Sequence, residues 1–170
     1  MKILIAGFKG DDNSAKILLD YIKKVCNEDI LYLENDFEIS SKQIEKKLLE
    51  NYDNVLIFGQ KPNTTNIYFE NNAILEGKKL VTDYYYGALK EKLEQYAYQV
   101  MNSYDAGKYL CNNVFFRALN FKQENNLKSK IAFIHIPTID NIEDMTISLI
   151  EGHKYKFECS MVREDADTLY

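Results

Sequence analysis

An α/β fold is what this chain predicts. Short apolar runs alternate with segments of helical periodicity. A β-type run, Ile-Ala-Phe-Ile-His-Ile at 131–136, is cut off by Pro137, and a wide apolar stripe at helical spacing occupies 110–119. Such alternation implies parallel strands joined by right-handed crossovers, with helices packed on both faces of the sheet. The expected architecture is a three-layer α/β/α sandwich around a mostly parallel, twisted central sheet. A length of 170 residues suits one domain, 1–170, with a sizeable core. No internal repeat, low-complexity tract or linker divides it.

Residues 2–8 form an apolar run that ends at Gly10-Asp11-Asp12, the pattern of a buried strand stopping in a turn. Asn13 or Ser14 then caps a helix whose apolar face holds Ile17, Leu18, Tyr21, Ile22 and Val25. Strands follow at 30–33 and 55–58. Between them Ser40 or Ser41 caps a helix with Ile44, Leu48 and Leu49 inward and Glu45 in a capping-box position. The third strand gives way to a loop, Gly59-Gln60-Lys61-Pro62. Residues 67–75 read as one strand with Tyr68, Glu70 and Asn72 on one face, and 80–82 as extended chain. Tyr84-Tyr85-Tyr86 is a loop or the start of a helix running to about Tyr96. Residues 98–102 alternate like a strand and lead to a helix that Asp105 can cap. That helix places Leu110, Val114 and Ala118 on one line, with Cys111, Phe115 and Leu119 beside it. A last helix is expected over 141–156. In parallel sheets, sites form beyond the carboxyl ends of the strands, so the loops at 7–12 and 59–65 are site candidates.

Composition narrows the function class. A net charge of -5 and a pI near 5.1 argue against a nucleic-acid surface, and Lys46-Lys47 and Lys78-Lys79 read as solvated faces. The start of the chain shows no signal-peptide pattern, and no apolar run is long enough to cross a bilayer. The three cysteines, Cys26, Cys111 and Cys159, are far apart and odd in number. They fit neither a disulfide framework nor zinc spacing, so a reducing cytoplasm is the expected home.

The residues with chemistry are few. Cys111 lies in the first turns of its helix, where the positive dipole end favours a thiolate; the plainer reading is a small core residue. His135 is one of two histidines and stands at the carboxyl end of a strand, where it can face a cysteine on an adjacent helix and take its proton. His153 sits in a polar stretch and reads as exposed. Glu70 is one acid among many. Its neighbours Phe69 and Ala73 suggest a partly buried segment in which a charge needs a partner. A carboxylate beside an imidazole would hold the ring's tautomer. The 7–12 loop has neither glycine-rich phosphate-binding spacing, and its aspartates would repel a phosphate.

Read together, Ser103-x-Asp105-Ala106-Gly107-x-Tyr109-x-Cys111-Asn112 resembles the cysteine motif of the pyroglutamyl peptidase I (pyrrolidone-carboxylate peptidase) family. Phe133-x-His135-x-Pro137 resembles that family's histidine motif. Gly59-Gln60, then Ile67 and Glu70, resembles its glutamate motif, and Lys2-Ile3-Leu4 with Gly7-Phe8 its N-terminus. The resemblance implies a phosphorylase/hydrolase-like fold and a cysteine exopeptidase that removes a pyroglutamyl residue from a peptide N-terminus. It assigns Cys111 as nucleophile, His135 as base and Glu70 as orienter. Phe8 and Gln60 shape the substrate pocket, and a backbone N–H near Cys111 serves the oxyanion. It implies no metal and no organic cofactor, N-terminally blocked peptides or small acyl amides as partners, and homo-oligomers as a frequent assembly.

The chain also departs from the family pattern. The N-terminal loop is shortened and lacks the second aromatic ring. Thr64 stands where the family has an arginine, and Lys78, Lys79 and Leu80 occupy the region of another. The segment from Glu70 to Cys111 is shorter. These departures touch the pocket and leave the three reacting residues in place. Two alternatives therefore stand beside the peptidase: an amide hydrolase for a different small acyl group, and a non-catalytic α/β binding module.

Overall fold

The computed structural model describes residues 1–96 and 98–138. The helix expected over 141–156, His153 and Cys159 lie outside the described residues. Eight strands and four helices follow one another as β1 (Ile3–Phe8), α1 (Ser14–Val25), β2 (Asp29–Leu33), α2 (Phe37–Leu48), β3 (Asn54–Lys61), β4 (Ile67–Glu70), β5 (Asn72–Leu75), β6 (Lys78–Val81), α3 (Gly87–Gln95), β7 (Val100–Ser103), α4 (Leu110–Glu124) and β8 (Lys130–Pro137). Six strands form one sheet in the order β2-β1-β3-β8-β4-β7. Its pairings are parallel except β4 against β8. The apolar runs read as buried strands are therefore central: every residue of β1 is buried, as is β8 from Ile131 onward.

Alternation along these strands makes two apolar faces. Ile3, Ile5, Leu56, Phe58, Phe69 and Ile134 point to one, which α1 and α3 cover with Ala15, Leu19, Ile22, Leu89 and Leu93. Leu4, Ala6, Val55, Ile57, Ile131 and Phe133 point to the other, which α2 and α4 cover. The result is the expected α/β/α layering, and each fully buried large side chain in it contributes roughly 1.5–3 kcal/mol.

Local chemistry moved several boundaries. Asn13 caps α1, its side chain accepting from the Ala15 N–H at 2.9 Å. The buried stripe of α1 runs through Ala15, Leu19 and Ile22, which leaves Ile17 exposed. Helix α2 starts a turn earlier than expected because Asp36 is its cap, accepting from Glu38 and Ile39 N–H groups at 2.9 and 2.8 Å. Ser40 and Ser41 lie inside the helix, buried, their hydroxyls donating to the carbonyls of Asp36 and Phe37. Glu45 pairs with Arg117 of α4 and forms no capping box, and Leu49 is exposed at the helix end.

The strand expected at 67–75 is two. At Asn71 the chain leaves the main sheet, and β5 folds on β6 as a separate hairpin. Its two-residue turn, Glu76-Gly77, has positive φ at both positions (50° and 80°), the geometry that joins twisted antiparallel strands most directly. Asp105 caps no helix. It accepts from the Gly107 N–H at 3.0 Å and closes a turn ahead of α4, whose start at Leu110 has no side-chain cap. Among the described residues no helix is long and apolar enough to cross a membrane.

The Asp36 cap gives a direct check. Asp36→Ala leaves two N–H groups of α2 unpaired, and urea melts should show a loss of about 1 kcal/mol, with Ser40→Ala well below that.

Candidate active site

The face covered by α4 carries the three candidate groups, Cys111, His135 and Glu70. On β3 the alternation that turns Val55 and Ile57 toward α4 also presents Gly59 and Lys61. On β8 it presents Phe133 and His135, and on β4, Tyr68 and Glu70. In the register Gly59 lies beside His135, and Tyr68 lies on the other side of it. Glu70 pairs with Phe133, one diagonal step from His135 on the same face. Long side chains bridge such diagonals: His135 Nδ1 is 2.7 Å from Glu70 Oε1, with Glu70 0% and His135 5% exposed. A carboxylate can only accept, so Nδ1 carries the proton and Nε2 is the basic nitrogen. The edge of the Phe133 ring packs on the imidazole at 5.0 Å between centroids.

Cys111 arrives from above, on the second residue of α4. A Cβ built on Gly59 would lie 2.9 Å from Cys111 Sγ and 2.9 Å from Phe133 Cζ. The sulfur thus rests on the bare Cα of Gly59, one strand from His135 at a strand spacing of ~4.8 Å. Position 59 tolerates no side chain because α4 packs so closely there. The next residue fixes the helix laterally. The buried Asn112 amide accepts from the Ile74 N–H at 2.9 Å and donates to the Ile74 carbonyl at 2.7 Å, tying α4 to the β5–β6 hairpin.

The electrostatics of the sulfur differ from the helix-dipole expectation. Burial pushes the Cys111 thiol up to about 12; its own backbone N–H draws it back, the charge of Glu70 adds to the rise, and Lys61 opposes it. Desolvation thus outweighs the helix start, and the resting sulfur is a thiol waiting for a base.

Where a loop is expected from Gly59, β3 continues to Lys61, and that extension puts Lys61 in the site. Its Nζ lies 3.7 Å from Glu70 Oε1 and 4.3 Å from the centre of the Tyr68 ring. The period-2 pattern of β3, had it been carried past Gly59, would have pointed to it. Phe8 is buried on the Cys111 face. Gln60 turns to the opposite face, where its Oε1 accepts from the N–H and hydroxyl of Ser14 at 2.8 and 3.0 Å. Thr64 accepts from the Asn66 N–H and touches the Tyr68 hydroxyl. Among the described residues no group of three His, Cys, Asp or Glu side chains is placed to hold a metal ion.

The family model for pyroglutamyl peptidase matches residues 87–153, a span that includes Cys111 and His135. Over nearly the whole chain, the structure resembles that of a mutant pyrrolidone carboxyl peptidase from the hyperthermophile Pyrococcus furiosus. The TM-score is 0.76 at 20% identity, covering 98% of this chain and 100% of that one. The fold is that of the pyrrolidone carboxyl peptidases. The enzyme from Thermococcus litoralis matches with a TM-score of 0.74 at 23% identity over 95% of this chain and 92% of its own. That from Fervidobacterium islandicum matches with 0.73 at 19% over 96% and 95%. No curated protein matches the chain by sequence. The family match supports a cysteine peptidase on the pyrrolidone carboxyl peptidase fold, in line with the motif resemblance.

The packing and the thiol each lead to an expected outcome. Gly59→Ala should displace the sulfur and cost about 10²-fold in kcat, together with roughly 1–3 kcal/mol of stability from overpacking, read by kinetics and urea melts. Iodoacetamide labelling of Cys111, followed by peptide mapping, should keep rising beyond pH ~9. A plateau below neutrality would show a preformed thiolate.

Proposed function

We propose that this chain is a cysteine exopeptidase of pyroglutamyl peptidase type, hydrolysing the amide bond that follows an N-terminal pyroglutamyl residue. The observation that carries the reading is the Glu70–His135 contact at 2.7 Å beside the glycine on which the Cys111 sulfur rests. That arrangement brings a candidate nucleophile, base and orienter to one face of the sheet, with the base and orienter already in hydrogen-bond contact.

In the proposed cycle His135 Nε2 takes the Cys111 proton as the sulfur attacks the pyroglutamyl carbonyl. The base acts in concert with attack because desolvation holds the Cys111 thiol above its ordinary range. The developing oxyanion faces the free backbone N–H groups at the start of α4, with that of Cys111 the nearest to the sulfur. Collapse breaks the C–N bond, and the imidazolium gives its proton to the departing amine. Water, deprotonated by Nε2, then attacks the thioester and releases pyroglutamate and the thiol. Glu70 keeps Nδ1 protonated throughout and stabilises the imidazolium. Phe8 supplies an apolar wall on the Cys111 side. Gln60 lies on the opposite face with its carbonyl oxygen held by Ser14, so only its amide N–H2, near the end of β3, is left to a substrate. The chemistry suits a reducing compartment, in which Cys111 remains a free thiol.

The altered pocket favours one alternative, an amide hydrolase for another small acyl group. Thr64 replaces a cationic position, and the N-terminal loop lacks an aromatic ring that would be worth roughly 1 kcal/mol of stacking. A panel of acyl fluorogenic amides separates the two readings. Cleavage of the pyroglutamyl compound supports the first, and cleavage of another acyl amide alone supports the second.

Cys111→Ala and His135→Ala should each abolish turnover while circular dichroism stays native, and Glu70→Gln should lower kcat by about 10²- to 10⁴-fold. Hydrolysis retained by Cys111→Ala excludes the mechanism.

A further inference from the structure

Tyr86 precedes α3 on the side of the sheet away from Cys111 and is 7% exposed. Its ring stacks on Phe69 with centroids 4.5 Å apart and planes 16° apart, and leans on Tyr84 at 5.0 Å. A phenylalanine would pack the same way. The hydroxyl does something a phenylalanine could not. It enters the seam between β4 and β8, accepting from the Phe133 N–H at 3.0 Å and lying 3.1 Å from the Glu70 carbonyl and 3.3 Å from that of Phe133. With one proton to give, it serves the nearer carbonyl, that of Glu70.

Glu70 and Phe133 are register partners at the end of the antiparallel β4–β8 ladder. Past them β4 stays bonded to β7, the Asn71 N–H donating to the Ser103 carbonyl at 2.8 Å, but it has no further register partner on β8, because the chain turns away at Asn71 into the hairpin. The Glu70 carboxylate is itself lightly tethered. Its Oε1 faces His135 and lies 3.7 Å from the partly exposed Lys61 Nζ, while its Oε2 is buried without a hydrogen-bond partner among the described residues. The direction in which the carboxylate points is therefore set chiefly by its backbone. Phe133, the other residue the hydroxyl grips, carries the ring that packs on the imidazole. Burial holds the phenol well above its ordinary range, so the proton stays on the oxygen.

We propose that Tyr86 is a positioning residue for the reacting pair: its hydroxyl clasps the ends of β4 and β8 so that Glu70 Oε1 stays on His135 Nδ1. The kinetic part of this inference rests on the peptidase reading; the geometric part does not.

The test compares full-length wild type, Tyr86→Phe and Leu89→Ala, the last a cavity in the same apolar cluster with no contact to the ladder bond. For Tyr86→Phe the expected result is a kcat on a pyroglutamyl fluorogenic amide about 10-fold lower with KM within about twofold. The downfield Nδ1–H proton resonance of His135 should shift or broaden, and the pH profile of Cys111 alkylation should change. Leu89→Ala should lose thermal stability and keep kcat per folded molecule, the resonance and the profile. Tyr86→Phe with wild-type kcat and resonance overturns the proposal, as does Leu89→Ala reproducing both losses. If Tyr86→Phe does not fold, 3-fluorotyrosine placed at position 86 acidifies the hydroxyl while keeping the ring. The Nδ1–H resonance must then move, and an unmoved resonance overturns the proposal. If the wild type cleaves no pyroglutamyl amide, the peptidase reading fails, and the resonance and alkylation profile still decide the role of Tyr86.

Discussion

A carboxylate with no access to water is the constraint around which this structure is arranged. Glu70 is fully buried, and an isolated charge in that position is costly enough that a chain ordinarily neutralises it or supplies a partner. His135 is the partner at hydrogen-bond distance, and Lys61 brings a cation to 3.7 Å. Removing the imidazole would leave a buried acid with only a partly exposed lysine to answer it. The contact proposed to orient His135 thus also answers a charge within the core. Stability and chemistry meet in the same pair of atoms.

The sulfur is delivered by a different kind of constraint, the close approach of a helix to a strand. Gly59 allows α4 to press its first turn onto β3, and side-chain contacts hold that helix sideways. Among them are the Asn112 amide, which treats Ile74 as a strand neighbour would, the Asn113 amide donating to Ser41 of α2, and the ion pair of Arg117 with Glu45 on α2. That salt bridge is half exposed and contributes little by itself. The amide pair is buried and directional, and it makes the β5–β6 hairpin a brace for the residue next to Cys111.

What could be read in advance follows the range of the forces involved. β1, β3 and β8 are apolar on both faces, and any strand with that pattern must be interior. The stripe through Val114, Phe115 and Ala118 could only be a packed helix. Cys111 and His135 stood out by residue type and by position at an element's end. Glu70 did not, since its burial depends on α4 and β8 closing over it, and spacing within a family-like motif was what singled it out. The Asp36 cap was hidden because Ser40 and Ser41 offer equally good local chemistry, and only the packing of α2 decides between them. The sign of the Cys111 shift was missed for a related reason: a dipole is a property of the helix, but desolvation belongs to everything packed around it. Tyr86 lay in a run of three tyrosines, and nothing local tells which of the rings will reach a ladder formed by residues far away in sequence.

At one seam of the main sheet, between β4 and β8, neighbouring strands run in opposite directions, and that reversal sets depth. Because β4 is antiparallel to β8, the residue two places after Tyr68 lies two places before His135, farther from the carboxyl end of β8. The acid therefore stands behind the base, toward the middle of the sheet. A parallel β4 in the same slot would have carried it outward to the rim, within reach of counterions. Buried charges feel little of the ionic atmosphere that screens exposed ones over ~8–10 Å, so the strand's direction leaves this acid–base contact nearly indifferent to the salt around the molecule.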